Sequence, residues 1–150
     1  MVEDVLPRSL DNTYRGHKIA LWLLGLLAFV KAVIGVNSII NGRAVMTTAD
    51  GIALDAYPAA AVQNLVALWA LVGLSHIIIC VLCVLVLVRY RNMVPLMFGL
   101  LLLQHLGGRL ILQFFPLVRT GAPPASAINL TLLTVMIVGL GLSLLRVGRR

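Results

Sequence analysis

Several side chains that can do chemistry stand inside the most apolar stretches of this sequence. Lys31 interrupts the run LLGLLAFVKAVIGV at 23–36, and His76 and His105 interrupt later apolar runs. An ammonium group and imidazole rings can hold an anionic or carbonyl-bearing group, or carry protons. Insertion scales put the penalty for a lysine in hydrocarbon at roughly 2.5–3.5 kcal/mol, so such residues are functional candidates.

The spacing of these residues predicts a common polar layer. Counting about 1.5 Å per residue from the predicted helix ends places four candidates just beyond the membrane midplane: Lys31, His76, His105 and Thr134. Two further candidates, Asn37 and Arg109, lie nearer the outer face. Small residues share the helical faces of Lys31 and His76, which predicts that the polar groups point into a helix bundle. All of these are candidate ligand-binding residues.

The same residues also allow a structural interpretation. A lone lysine can extend its ammonium group toward headgroups, and a histidine can hydrogen-bond a neighbouring helix. The acids all lie outside the apolar runs, so Lys31 has no carboxylate partner unless the first outer loop folds in. For Arg109, two alternatives stay open: anchoring in lipid headgroups, and contact with a ligand or with Asp50 or Asp55 of that loop.

The remaining motifs do not assemble into a catalytic or metal site. Cys80 and Cys83 form a C-x-x-C pair, but redox work by this motif requires an activated and accessible thiol, and here it lies inside an apolar run. We therefore expect both cysteines to serve packing. The two histidines have neither metal-ligand spacing on one helix nor an embedded carboxylate. No phosphate-binding glycine loop and no Ser-His-Asp set is evident, so no catalytic residue is predicted.

Four apolar runs must position these side chains. They cover about 19–40, 61–88, 92–115 and 127–145 in a chain that is 61% hydrophobic and 11% charged, with a mean hydropathy of +1.04. Each run is long enough to cross a hydrocarbon core of about 30 Å as a helix. The sequence therefore predicts an all-α fold, an integral membrane four-helix bundle in one domain over 1–150, with an outer loop at 42–60. The tight turn RYRN predicts that the second and third spans are antiparallel neighbours.

The distribution of positive charge predicts the topology. The N-terminal segment, the turn RYRN and the C-terminus together hold eight of the twelve Lys and Arg residues, against two in the outer connections. By the positive-inside rule both termini are predicted to be cytoplasmic. The same rule explains the net charge of +7 without nucleic acid as a partner. The first apolar run is too long for a signal peptide, so we expect a retained anchor.

A series of short phrases in this order resembles a known family. ADGIALD follows the first span, LVRYR ends the second, LGGRLIL lies late in the third, and RTGAPP precedes the last. Over about 20–145 this pattern resembles the small four-helix bacterial membrane proteins of the DoxX-like group. The resemblance implies a four-helix fold in the bacterial inner membrane, and a few group members are linked to sulfur-compound oxidation with quinone as acceptor. Relatives often carry an acid in the last helix, where this chain has Asn129, Thr131 and Thr134.

Three functional hypotheses follow. The favoured one is a non-enzymatic accessory or interaction subunit with a small intramembrane polar pocket. The second is a binding protein or membrane redox subunit for a quinone-like or anionic amphiphile, with quinone or lipid as the bound molecule and otherwise no cofactor. The third is an oligomeric transporter or channel. The expected partners are the lipid bilayer and either another membrane protein or further copies of the chain.

Overall fold

The computed structural model describes residues 12–119 and 123–145. These ranges contain five α-helices: α1 Lys18–Ile40, α2 Gly42–Thr48, α3 Ala59–Arg89, α4 Val94–Phe114 and α5 Ala125–Leu144. Short 3-10 turns precede α3 at Leu54–Ala56 and α4 at Arg91–Met93. Within the same ranges, β pairing is limited to one bridge between Ile52 and Arg119.

Four of these helices are long and apolar enough to cross a membrane, namely α1, α3, α5, and α4 together with its preceding turn. This confirms the all-α class and the presence of four candidate spans, and it indicates a multi-pass membrane protein in contact with lipid. Prolines set several boundaries. Pro58 and Pro124 immediately precede α3 and α5, and Pro95 lies in the first turn of α4. Backbone N–H groups in the first turn have no acceptor within the helix, so a proline there removes no helical hydrogen bond.

The connection after α1 is more ordered than the sequence indicates. The chain bends at Asn41 and continues as α2, whose Met46 is buried. Gly51 then turns the chain with a φ of 67°, a conformation that costs glycine little and other residues more. Ile52 and Leu54 follow and pack with Met46 against the start of α3. The predicted loop 42–60 is thus a folded cap rather than an open connection.

The closest helix pair is α1 with α3, which share the most extensive contact in the described residues. At their crossing, a Cβ on Gly35 would lie 2.8 Å from the carbonyl oxygen of Gly73, and a Cβ on Gly73 would lie 2.7 Å from that of Gly35. Only glycine fits at either position. Such small-residue crossings are typical of membrane helices, where close backbone approach replaces hydrophobic driving force.

The second and third spans are in contact, as the tight turn predicts, but this is not the main packing of α4. Helix α4 packs mainly on α5, and its contact with α3 is much smaller, although a tight turn joins the two. Phe98 of α4 lies fully buried against Gly139 of α5, where an added Cβ would overlap the Phe98 ring. The main core gathers around this contact, with Leu24 and Leu27 of α1 and Met136 of α5.

The segment before α1 contacts the C-terminal end of α5. The backbone N–H of His17 donates to the carbonyl oxygen of Leu142 at 3.1 Å. The end of α5 and the start of α1 therefore lie on the same side. Part of the positive charge on which the topology prediction depends lies outside the described residues. It belongs to the N-terminal segment before residue 12 and to Arg146, Arg149 and Arg150.

Candidate functional site: an intramembrane polar cluster

Lys31 is the centre of the candidate site. Its side chain is only 4% exposed, on a face of α1 that also buries Ala28, Gly35 and Ser38. Its ammonium nitrogen Nζ donates a hydrogen bond to Oε1 of Gln104 on α4, at 3.3 Å. The predicted inward orientation of Lys31 is therefore confirmed, and its partner is an amide rather than a carboxylate.

Gln104 is not among the site residues that the sequence predicts. It directly precedes His105, which is a candidate because it can titrate, whereas a glutamine cannot. The signal that identifies it is its spacing, because Gln104 lies three residues after Leu101, which is fully buried. Residues three apart share a helical face, so Gln104 had to point toward the interior.

The two histidines lie close to Lys31. The His76 ring on α3 is half-buried and its Nδ1 is 3.1 Å from the carbonyl oxygen of Val72, one turn earlier. His105 on α4 approaches the backbone of Asn129 on α5. Both histidines lie within electrostatic range of the Lys31 charge. We call Lys31, His76, Gln104 and His105 the polar cluster.

One polar atom of the cluster is not satisfied. The Nε2 atom of His105 is buried and has no hydrogen-bond partner among the described residues. A buried polar atom without a partner costs about 1–3 kcal/mol. The ammonium group of Lys31 has three donors, and Gln104 accepts one of them. The remaining donors of Lys31 and the Nε2 atom of His105 can therefore form further hydrogen bonds.

The two cysteines border the cluster. Cys80 and Cys83 are buried and unpaired, and both lie within electrostatic range of Lys31. The thiol of Cys80 donates to the carbonyl oxygen of Ala28 at 3.1 Å, which ties α3 to α1. Their position fits the packing role expected from the sequence. In the described residues, no three His, Cys, Asp or Glu side chains come together as a metal-binding group.

Three of the sequence-predicted site residues lie outside the polar cluster. Arg109 is exposed on α4, one turn beyond His105. Asn37 is exposed, and its Oδ1 accepts a hydrogen bond of 2.8 Å from Asn41 Nδ2. Thr134 is also exposed, and its hydroxyl donates to the carbonyl oxygen of Leu130 at 3.0 Å. Contrary to the expectation of inward-facing groups, Asn37 and Thr134 are satisfied locally and face away from the bundle.

The acids of the outer loop do not reach the polar cluster. The charge of Asp50 interacts with that of Arg119, while Asp55 is exposed in the turn before α3. Burial raises the pKa of the Asp50 carboxyl above its ordinary value, and the Arg119 guanidinium opposes that rise. The loop thus closes over α3 and the segment after α4, and the charge partner of Asp50 is Arg119 rather than Arg109.

An apolar pocket lies between the folded loop and α3. Its volume is about 190 Å³, larger than an engineered cavity of about 150 Å³ that binds benzene. The lining is almost wholly apolar and includes Met46, Ile52, Tyr57, Trp69, Val72 and Leu117. Val72 connects the pocket to the polar cluster, because its carbonyl oxygen is the atom that the His76 ring contacts. We call this cavity the outer-loop pocket.

The arrangement favours binding over bond-breaking. An ammonium group, two imidazoles and an amide provide donors for an anionic or carbonyl-bearing group, with an apolar pocket one helical turn away. The fold and the cluster define a multi-pass helical protein with a polar site inside its candidate membrane spans. The chain matches no protein-family model, no curated protein and no solved structure.

Proposed function

We propose that this chain is a non-enzymatic integral membrane protein of the accessory type, whose polar cluster binds the polar head of an amphiphile. The observation that carries the proposal is Lys31, a basic side chain that is 4% exposed and has an uncharged amide as its hydrogen-bond partner. A buried charge is costly unless it is paired and hydrogen-bonded. A ligand that brings a carbonyl or an anion supplies the missing partner.

The ligand class follows from the chemistry around Lys31. A quinone-like ring with carbonyl oxygens, or an anionic head, accepts hydrogen bonds from the ammonium group, and His105 Nε2 is the unsatisfied atom that provides a further contact. The apolar body of the ligand extends along α3 toward the outer-loop pocket, where Trp69 and Val72 lie. The protein's own part is to bind and orient this molecule between its helices.

The proposed location is the bacterial inner membrane, with both termini in the cytoplasm. The excess of Lys and Arg in the N-terminal segment, the turn RYRN and the C-terminus supports that orientation through the positive-inside rule. The contact of His17 with Leu142 agrees with it, because the start of the first span and the end of the last span then lie on the same side. The DoxX-like resemblance supports a bacterial membrane.

The test is mass spectrometry of the protein purified in native lipid nanodiscs, with the small molecules that travel with it identified. We expect a stoichiometric amphiphile with a carbonyl or anionic head, and we expect Lys31→Leu to reduce its content at least about tenfold, because a hydrogen bond to a charge contributes about 1.5–3 kcal/mol. Thr134→Val, on the outer surface of α5, is the matched control. Equal ligand content in a folded Lys31→Leu protein would reject the proposal.

A further inference from the structure

Helix α4 is packed at one end and unpacked at the other. Its first half contributes Val94, Met97, Phe98 and Leu101 to the buried core. In contrast, every residue from 108 to 116 is exposed, and Phe114 is 73% exposed. Within residues 12–119 and 123–145, this outer half of α4 therefore leaves much of its surface uncovered.

The unpacked half carries polar groups as well as apolar ones. The side chain of Arg109 makes no hydrogen bond or ion pair with any described residue, and its charged neighbour is His105, another basic group. Gln113 is exposed four residues later, on the same face of the helix. We call Arg109, Leu112 and Gln113 the Arg109 face. A side chain added at Gly107 or Gly108 would meet nothing, so a helix can approach there.

Arg109 lies inside a candidate span and has no acidic partner among the described residues. It lies five residues, or about 7.5 Å, inside the end of α4 at Phe114. Ionisable groups inside a span usually pair or face a polar interior, whereas a long side chain near a helix end also reaches the headgroups. Polar side chains also associate membrane helices by hydrogen bonding across them. A partner that provides a negative charge at this depth satisfies Arg109.

The chain itself does not contain such a partner. The acids of the sequence end at Asp55, so none lies in the second, third or fourth span. A second copy of the chain would have no carboxylate in a span to offer, and a symmetric contact through α4 would bring Arg109 toward its own copy. Like charges at an interface oppose association. Charge complementarity therefore favours a different protein, rather than a second copy of this chain, as the partner of Arg109.

We propose that the Arg109 face docks a transmembrane helix of another membrane protein that carries an aspartate or glutamate at matching depth. This inference rests on the accessory role proposed above and names the chemistry of its partner. Arg109 pairs with the carboxylate, Gln113 hydrogen-bonds the same helix one turn outward, and the exposed apolar residues of α4 pack on its remaining surface. The polar cluster around Lys31 takes no part in this contact.

Synthetic transmembrane peptides test the proposal directly. The probe is a leucine–alanine helix with one aspartate at the depth of Arg109, labelled for energy transfer to the full chain in uncharged phosphatidylcholine nanodiscs. The reference peptide has leucine in place of the aspartate. We expect the aspartate peptide to bind about tenfold more tightly, as an interhelical polar contact of about 1–2 kcal/mol implies. Arg109→Gln should abolish the difference, while Arg109→Lys should retain most of it.

Controls separate this proposal from its rivals. Arg43→Gln removes an exposed arginine on α2 and should leave the peptide preference intact. Equal binding of both peptides to the native chain overturns the inference. So does self-association that requires Arg109, or complete displacement of the peptide by anionic phosphatidylglycerol, which would assign Arg109 to lipid.

A last variant distinguishes failure of the docking inference from failure of the proposed function. Lys31→Leu should lose the amphiphile and yet keep the aspartate preference. Loss of that preference in a folded Lys31→Leu chain would contradict the independence of the two sites and overturn the inference.

Discussion

The side chains of Lys31 and Gln104 join α1 to α4 across the interior of the protein, with Nζ and Oε1 3.3 Å apart. The two helices otherwise share little contact, because α1 packs on α3 and α5. The hydrogen bond thus connects the α1–α3 pair to the helix whose outer half is unpacked. It is also the one hydrogen bond of the Lys31 ammonium group among the described residues.

We expect Gln104→Leu to destabilise the protein by roughly 1–3 kcal/mol, because it leaves a buried ammonium group without its acceptor. The double variant Lys31→Met with Gln104→Leu should recover most of that loss, since an apolar pair no longer needs a hydrogen bond. Unfolding of each variant in mixed micelles gives the coupling energy. Additive effects of the two substitutions would contradict a direct interaction.

The sequence predicts the helices and their inner faces better than it predicts the site. Long apolar runs and flanking prolines determine the four candidate spans, and the small residues near Lys31 and His76 correctly indicate buried faces. Depth counting predicts only the height of Thr134 in the bundle, and height alone does not determine the rotation of a helix about its axis. Thr134 consequently faces outward, where its hydroxyl bonds its own helix.

Two features depend on tertiary structure that no local pattern specifies. Gln104 becomes part of the site because α4 packs on α5 and turns that face toward Lys31. The loop after α1 folds over α3 because Met46, Ile52 and Leu54 find apolar partners there, among them Trp69 and Leu117. Both depend on which helices pack most closely, and the tight turn between α3 and α4 does not reveal that α4 packs mainly on α5.

Substitution at the α1–α3 crossing should separate the two helices. A methyl group at Gly35 or Gly73 would lie within 2.8 Å of the opposing carbonyl oxygen, so Gly35→Ala and Gly73→Ala should each cost about 1–3 kcal/mol through overpacking. Gly107→Ala is the matched control, because the space around it is open and alanine favours a helix by roughly 0.5–1 kcal/mol. Unfolding of the three variants in micelles measures the difference, and equal effects at all three glycines would refute the close crossing.

The outer loop should become more stable when Asp50 is neutral. Burial raises the pKa of this carboxyl above its ordinary value of 3.8, and the charge of Arg119 only partly opposes the shift. A raised pKa in the folded state means that the protonated form favours folding. This contribution is present below pH 3.8 and is lost as the pH rises through the folded-state pKa.

Asp50→Asn should therefore protect the loop at neutral pH and weaken the gain that acidification gives the native chain. Hydrogen exchange of the amides in α2 and the following turn, measured at neutral and mildly acidic pH, reports the difference. Asp55→Asn is the control, because Asp55 is exposed. Slower exchange in the native chain than in Asp50→Asn at neutral pH would show that the contact with Arg119 dominates.

Tyr14 should make the start of α1 sensitive to alkaline pH. Its ring packs against the core, its hydroxyl donates to the carbonyl oxygen of His17 at 3.1 Å, and burial raises its pKa from 10.0 to about 12. Because the folded-state pKa is raised, the stabilisation is complete below pH 10 and is lost as the pH approaches 12, where the phenolate forms.

Tyr14→Phe should lower stability at neutral pH by about 0.5–1.5 kcal/mol through the lost hydrogen bond. It should also remove the part of the alkaline destabilisation that belongs to Tyr14. Phenolate absorbance during alkaline titration follows the ionisation directly, and the difference between the two proteins isolates this tyrosine from Tyr57 and Tyr90. Ionisation of Tyr14 at its ordinary pKa would mean that the segment before α1 does not pack against the core.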